Sequence, residues 1–360
     1  MSLCRYAEIN LDHIRHNFSQ VKSLSPNASI MVMLKANAYG HGAVEIAQTL
    51  VDAQAFGVAN IDEAIELREA GITQAIVVMT GFLTAEEYAS IKAYELDCIV
   101  HDVYQLSYIE KFGLAKRSRL WLKIDTGLHR LGFTPVTFMQ SFNQLKSIGI
   151  QPEQCIVMTH MACADELTSE MSVAQWQQFK TITDELPCMR SVTNSAALLN
   201  HPDMHCDWVR VGFTIYGGSA LPQRSANSLG LRPAMTLRSR VIATKQVRAG
   251  ESVGYGKTWI AESTTTVAVV AIGYGDGYPR RAPSGTPVLI EGCLYSIVGR
   301  VSMDLITVDI GSTNSIKPGA TVTLWGEGLP VEDVAHHCGT IGYELMAQLT
   351  RRVKRVVVSA

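Results

Sequence analysis

Across its 360 residues the sequence has no apolar run able to cross a bilayer; the strongest, Ile30–Leu34 and Val267–Ile272, are far too short. Its opening, MSLCRYAEINLDHIRHNF, puts acids, bases and histidines where an export signal needs an apolar stretch, so no membrane partner and a cytoplasmic setting are expected. Cysteine is sparse and scattered: eight residues with no CxxC pair read as reduced thiols, mostly buried as small hydrophobes. Neither sign of charge is in excess. With 31 basic and 33 acidic side chains, the net charge of −2 argues against nucleic acid as the main partner. The one dense basic run, Arg351, Arg352, Lys354 and Arg355, reads as a solvated edge. Several motifs are missing too. GHGAVE (Gly40–Glu45) lacks the third glycine of a dinucleotide loop, and no P-loop or GxSxG occurs. His201 and His205 have HxxxH spacing without an HExxH or paired cysteines, so no metal is expected.

What is present is a globular balance, 47% hydrophobic and 18% charged, which excludes disorder for the bulk of the chain. From about Ile30 to Gly218, short apolar runs alternate with stretches of helical spacing. The runs are IMVMLK, AFGVA, AIVVMT, DCIVH, RLWLKID, CIVMTH, SVTN and DWVRVG. Eight such strands predict a (β/α)8 barrel of the TIM type. After Leu221 a turn-rich connector, PQRSANSLGLRP, leads into strand-like segments punctuated by glycine and proline, which predict a mostly antiparallel β domain. Only VEDVAHHCG and GYELMAQLTRR read as helical there. The expected division is a barrel over 1–228 and a β domain over 229–360.

In a barrel, reactive groups sit at the C-terminal ends of strands. Those ends supply Lys35, Lys123 with Arg130 in the loop beyond it, His160, Asn194 and Ser195, and Arg210. A lysine ending an apolar strand suits Schiff-base chemistry, because burial lowers its pKa, although a lone lysine more often bends out to solvent. Tyr39 follows Lys35 by four residues and shares its face if a helix starts there. Arg210 stays protonated and donates without giving up a proton, yet an arginine so placed can equally be a structural ion pair. His160 taken alone is more often a satisfied buried histidine.

Jointly these residues form a pattern. KANAYGHG (Lys35–Gly42), KIDTGLHRLGF (Lys123–Phe133), TH (Thr159–His160), NS (Asn194–Ser195) and DWVRVG (Asp207–Gly212) lie in the first part of the chain. VGYG (Val253–Gly256), AIGYGDGYPR (Ala271–Arg280), GRVSMD (Gly299–Asp304) and YEL (Tyr343–Leu345) follow in the second. In this order, and spread over nearly the whole chain, they resemble the pyridoxal phosphate-dependent alanine racemases. That resemblance implies a barrel with a C-terminal β domain, pyridoxal 5'-phosphate as cofactor, L- and D-alanine as substrates and a head-to-tail homodimer. It implies that Lys35 anchors the cofactor and is one of two acid–base groups, and that Tyr39, Ser195, Gly212 and Tyr343 hold its phosphate. His160 and Asn194 belong to the same cofactor-binding set. Arg210 would face the pyridine nitrogen, Arg130 the substrate carboxylate, and Lys123 matches the lysine that relatives carry carbamylated beside that arginine. The second base would be Tyr255, contributed by the other subunit with Met303, which would meet the substrate, and Asp304. Tyr274 and Tyr343 would narrow the entrance. Ser302 departs from relatives with cysteine there, which removes a target for thiol-directed inhibition.

Three rivals remain at this point. A decarboxylase of the same architecture would carry glutamate where Arg210 lies. A racemase for serine or a broader set of amino acids is opposed by Tyr343, which leaves little room at the gate. A pyridoxal phosphate carrier built on the barrel alone would lack the β domain and its VGYG tyrosine.

Overall fold

The computed structural model describes residues 4–312 and 315–358. Its first strand, β1 (Arg5–Asn10), alternates half-exposed Tyr6 and Glu8 with fully buried Ala7 and Ile9. Asn10 then caps the helix Leu11–Leu24, its Oδ1 accepting from the N–H groups of Asp12 and His13.

Eight parallel strands follow and close into a barrel: β2 (Ser29–Met33), β3 (Ala55–Val58), β4 (Ala75–Val78), β5 (Asp97–Val100), β6 (Leu120–Lys123), β7 (Cys155–Met158), β8 (Met189–Ser191) and β9 (Trp208–Val211). Each falls on or beside one of the eight predicted runs. Most are buried along their whole length, because the barrel interior covers one face and a ring of helices the other. Polar caps set where those helices begin. Asn60, Thr84, Asp102 and Thr134 each accept a backbone N–H in the first turn.

The second sheet is mostly antiparallel, as predicted. It is built from β10 (Met235–Val247), β13 (Thr265–Val270), β14 (Pro287–Ile290), β15 (Cys293–Ile297), β16 (Ile306–Asp309), β17 (Thr321–Trp325) and β18 (Lys354–Val358), with a small hairpin of β11 (Ser252–Val253) and β12 (Trp259–Ile260) beside it. β10 is long enough to serve twice. Its first half pairs with β17 and its second half with β13, a β-bulge separating Val241 from Ala243, so the order β13-β16-β15-β14-β17-β10 returns on itself. β1 lies along the free edge of β10, and β18 runs parallel to β1. The chain's first strand therefore belongs to the second sheet rather than to the barrel. The helices Val331–His337 and Gly342–Ala347 then carry the chain back to the barrel mouth, where Tyr343 stacks on Phe213 with ring centres 3.9 Å apart.

The basic run near the C-terminus is only partly a solvated edge. Arg351 and Lys354 are exposed, but Arg352 pairs with Asp276 at 3.1 Å and Asp304 at 2.5 Å, and Arg355 donates to the carbonyl of Gly40 at 2.6 Å. Their partners lie far away in sequence, which is why the run reads locally as free charge. Among the described residues no helix is long and apolar enough to cross a membrane.

Candidate active site

A cavity of about 730 Å³ opens at the C-terminal ends of the barrel strands. Lys35, Tyr39, Lys123, Arg130 and His160 line one part of it; Asn194, Ser195, Arg210, Gly212 and Tyr343 line the rest. Ten of the fourteen sequence-predicted site residues thus converge, from barrel strand ends, the turns beyond them and, for Tyr343, the helix Gly342–Ala347 of the second unit.

The turn carrying Lys35 differs from the expected helix. Ala36, Asn37, Ala38 and Tyr39 all have φ between 52° and 54°, so Lys35–Tyr39 is a turn of left-handed helix with i+4 hydrogen bonds from Ala38 to Leu34 and from Gly40 to Ala36. Positions four apart still share a face in that hand, and Lys35 Nζ sits 6.0 Å from the centre of the Tyr39 ring. Left-handed geometry costs roughly 1–2 kcal/mol for each residue with a Cβ, so the turn stands only because its surroundings hold it. Burial and the Arg130 charge push the Lys35 ammonium below its ordinary pKa, while Glu63 works the other way. Glu63, which the sequence reading missed, lines the cavity and accepts from the N–H of Ala36 and of Ala59, both at 2.7 Å. Its place three residues after the cap Asn60 reads as ordinary helix capping and hides it.

Arg210 is buried and fixed. Nη1 donates to Ser191 Oγ at 2.6 Å; Nη2 donates to the carbonyls of Thr159 at 2.7 Å and Val192 at 3.2 Å, and meets His160 Nδ1 at 3.3 Å. Burial lowers its pKa to about 10, which leaves it charged at neutral pH. A guanidinium only donates, so His160 Nδ1 is the acceptor and its proton sits on Nε2. Burial, followed by the charges of Arg210, Arg130, Lys123 and Lys35, holds His160 well below its usual pKa and therefore neutral. Lys123, also buried, is brought down to about 8 by burial, Arg130 and Arg210, against the pull of Asp125. Arg130 itself is exposed at the mouth.

Also in the cavity lining, Ser195 Oγ accepts from the N–H of Gly212 at 3.1 Å. A Cβ on residue 212 would stand 2.6 Å from the Tyr39 hydroxyl, so only glycine lets that phenol approach. Asn194 Oδ1 caps the short helix Ser195–Asn200 through the N–H of Ala197. Tyr39 is buried and Tyr343 half-buried, and desolvation raises the pKa of each phenol, keeping both as hydrogen-bond donors.

The remaining four predicted residues are elsewhere. Tyr255 is 69% exposed, Met303 53% and Tyr274 40%, and Asp304 is an exposed partner of Arg352. All four belong to the second unit and none lines the barrel cavity. They do sit close together: the N–H groups of Tyr274 and Gly275 donate to the carbonyls of Ser302 and Met303. A Cβ on Gly254, the residue before Tyr255, would meet Arg300 N at 3.3 Å. No group of three or more potential metal ligands occurs among the described residues.

Two family descriptions match the chain, "Alanine racemase, N-terminal domain" over residues 9–220 and "Alanine racemase, C-terminal domain" over residues 234–357. The chain belongs to the alanine racemase family. An alanine racemase of Vibrio atlanticus is 45% identical over 347 residues, covering 96% of this chain and 97% of that protein. One from Aeromonas hydrophila is 45% identical over 350 residues, with the same coverage of each chain. Among solved structures, the biosynthetic alanine racemase of Pseudomonas aeruginosa superposes with a TM-score of 0.95 at 40% identity, covering 99% of this chain and 100% of that one. The alanine racemase of Acinetobacter baumannii gives 0.94 at 36% identity, with coverage of 98% and 99%. The (β/α)8 barrel and the β domain are thus family architecture.

The cavity suits the cofactor that the alanine racemase family implies. It holds an amine, a glycine-lined cradle with hydroxyl donors and a guanidinium whose Nε has no protein partner among the described residues. Lys35, Lys123, Arg130 and Arg210 also give it the positive field that a phosphate and a substrate carboxylate need.

Proposed function

We propose that this enzyme interconverts L- and D-alanine with pyridoxal 5'-phosphate by a two-base mechanism, supplying D-alanine for peptidoglycan in the cytoplasm. The observation that carries this reading is Arg210, buried and anchored by three protein groups in the same cavity as Lys35, a lysine of lowered pKa. Lys35 would bind the cofactor. Tyr39, Ser195, Gly212 and Tyr343 would hold its phosphate, Asn194 would set the Ser195 helix, and Arg210 would face its ring nitrogen with His160 behind. When bound, the cofactor supplies an electron sink that makes the substrate's α-hydrogen acidic. Because Arg210 does not donate a proton to the ring, that sink stays weak, which favours returning the proton to the same carbon over side reactions.

Arg130 binds the substrate carboxylate. Lys123, with a pKa of about 8, offers a neutral amine that can add carbon dioxide; the resulting carbamate would be an anion close to Arg130 and Arg210. Racemisation removes a proton from one face of the α-carbon and returns one to the other, so the simplest design has two acid–base groups on opposite faces. The Lys35 amine takes the proton of D-alanine, and the Tyr255 phenol takes that of L-alanine. The exposure of Tyr255, Tyr274, Met303 and Asp304 supports a head-to-tail homodimer in which they complete the partner's cavity. The division into 1–228 and 229–360 belongs to the same reading, supported by family matches that stop at 220 and resume at 234.

The test is direct. Purified protein is expected to be yellow and to form D-alanine from L-alanine without releasing carbon dioxide. Carbon dioxide release would favour the decarboxylase, faster turnover of serine than of alanine the broader racemase, and a yellow protein inert to every amino acid the carrier.

A further inference from the structure

The left-handed Lys35–Tyr39 turn needs something to hold it, and the most enclosed polar group beside it is His41. This residue is 1% exposed, its ring lies 4.5 Å from that of Tyr216, and the Tyr216 ring in turn lies 5.0 Å from that of Tyr39. Nδ1 is 3.0 Å from the carbonyl oxygens of both Ala38 and Tyr39. Both are acceptors, so Nδ1 must carry the proton. Nε2 is then an unprotonated acceptor, buried with no partner among the described residues. A buried nitrogen left unsatisfied is costly, and the two Nδ1 hydrogen bonds are the side chain's polar contacts that offset it. Those bonds fall on two consecutive left-handed residues, Ala38 and Tyr39. From the other domain, Arg355 Nε donates to the carbonyl of Gly40, and a Cβ on Gly40 would stand 2.2 Å from the carbonyl oxygen of Met346.

We propose that His41, as its Nδ1–H tautomer, is a positioning residue that pins the turn left-handed from within, with Arg355 pinning it from the second domain, so that Lys35 and Tyr39 present themselves together to the cofactor. The proposal rests on the reading of Lys35 and Tyr39 given above. His41 touches neither cofactor nor substrate; it acts through the backbone of the residues that do.

The test compares His41→Asn, which keeps an N–H donor at the δ position, with His41→Gln, which moves it one bond further out, and His41→Leu, which removes it. Each protein is assayed for kcat, KM, affinity of the apoprotein for pyridoxal phosphate by equilibrium dialysis, and thermal midpoint. Displacing the turn by about an ångström is expected to lower kcat and cofactor affinity by roughly tenfold to a hundredfold in His41→Gln and His41→Leu. KM for alanine should change little, and His41→Asn should recover most of both losses whatever its midpoint. Arg355→Met should weaken cofactor binding in the same direction by less. Equal kcat and cofactor affinity in the Asn, Gln and Leu variants, or losses that track thermal midpoint alone, would overturn the proposal. Failure of the underlying reading would look different, since the unsubstituted protein would then neither bind the cofactor through Lys35 nor racemise alanine.

Discussion

The barrel mouth and the exposed face of the second unit are built to opposite specifications. At the mouth, Arg210, Lys123 and Tyr39 are buried, and Arg210 is fixed by contacts made within the chain. On the other face, Tyr255, Tyr274 and Met303 spread large side chains into solvent. That face is nonetheless not loose. Asp276, fully buried, accepts from the N–H of Gly273 and pairs with Arg5 and Arg352, and Arg352 reaches on to Asp304. An exposed apolar cluster braced by a buried carboxylate fits a face that meets another surface, whereas the side chains buried at the mouth are held by their own chain. Under the proposed dimer reading, each chain would carry one half of its own site and one half of its partner's.

Removing the finished half should have the largest effect. Lys35→Ala is expected to lose the visible absorption of the bound cofactor and at least about 10⁴-fold in kcat/KM, because one residue serves as anchor and base. Retained activity would remove Lys35 from both roles. Next comes the donated half: Tyr255→Phe should lower kcat/KM by roughly 10²–10⁴-fold. Enantiomers have equal free energies, so the factor must be the same in both directions and turnover rates cannot reveal sidedness. Exchange in deuterated water can. The variant should still exchange the α-hydrogen of D-alanine through Lys35 and leave that of L-alanine largely untouched; equal exchange from both would contradict the two-base assignment.

Weaker perturbations test the bracing. Arg352→Met leaves Asp276 paired with Arg5 alone. It should lower stability in denaturant unfolding only modestly, by less than the loss of a fully buried pair would, because Arg352 is 38% exposed and screened by solvent. Under the dimer reading it should also raise KM for alanine through Met303; an unchanged KM would separate bracing from substrate binding. The smallest effect concerns acid. Burial holds His41 near pKa 4 against an unfolded value of 6.5, so the unfolded chain binds the proton first as pH falls. Stability from the neutral ring is complete above about pH 6.5 and is lost on falling toward pH 4. His41→Leu should flatten that stretch of the stability–pH curve relative to the unsubstituted protein.

Much of this was legible in the sequence, and the exceptions share a cause. Most barrel strands could be read because they are continuous apolar runs, and Lys35, Lys123, Arg130, His160, Asn194, Ser195 and Arg210 because barrel strands end at one face. The roles of Tyr39, Gly212 and Tyr343 came only from the family resemblance, and β8, Met189–Ser191, is not an apolar run. β1 was overlooked although its alternation of Ala7 and Ile9 with polar neighbours is plain, since its partners lie more than 200 residues on. The handedness of Lys35–Tyr39 could not be read, because Ala36, Asn37 and Ala38 give none of the signal that a glycine would. Arg352 and Arg355 looked solvated for want of local partners. What local pattern determines was visible, and what distant contact imposes was not.

The pairing of two half-sites across subunits is tested most directly by mixing inactive Lys35→Ala with inactive Tyr255→Phe protein under conditions where subunits exchange. A mixed dimer carries one site with both defects and one with neither. Random exchange should therefore restore about a quarter of the unsubstituted activity, half the dimers being mixed with one intact site in two. No recovery, with exchange proven by differently tagged chains, would place Tyr255 in its own subunit's site or outside catalysis.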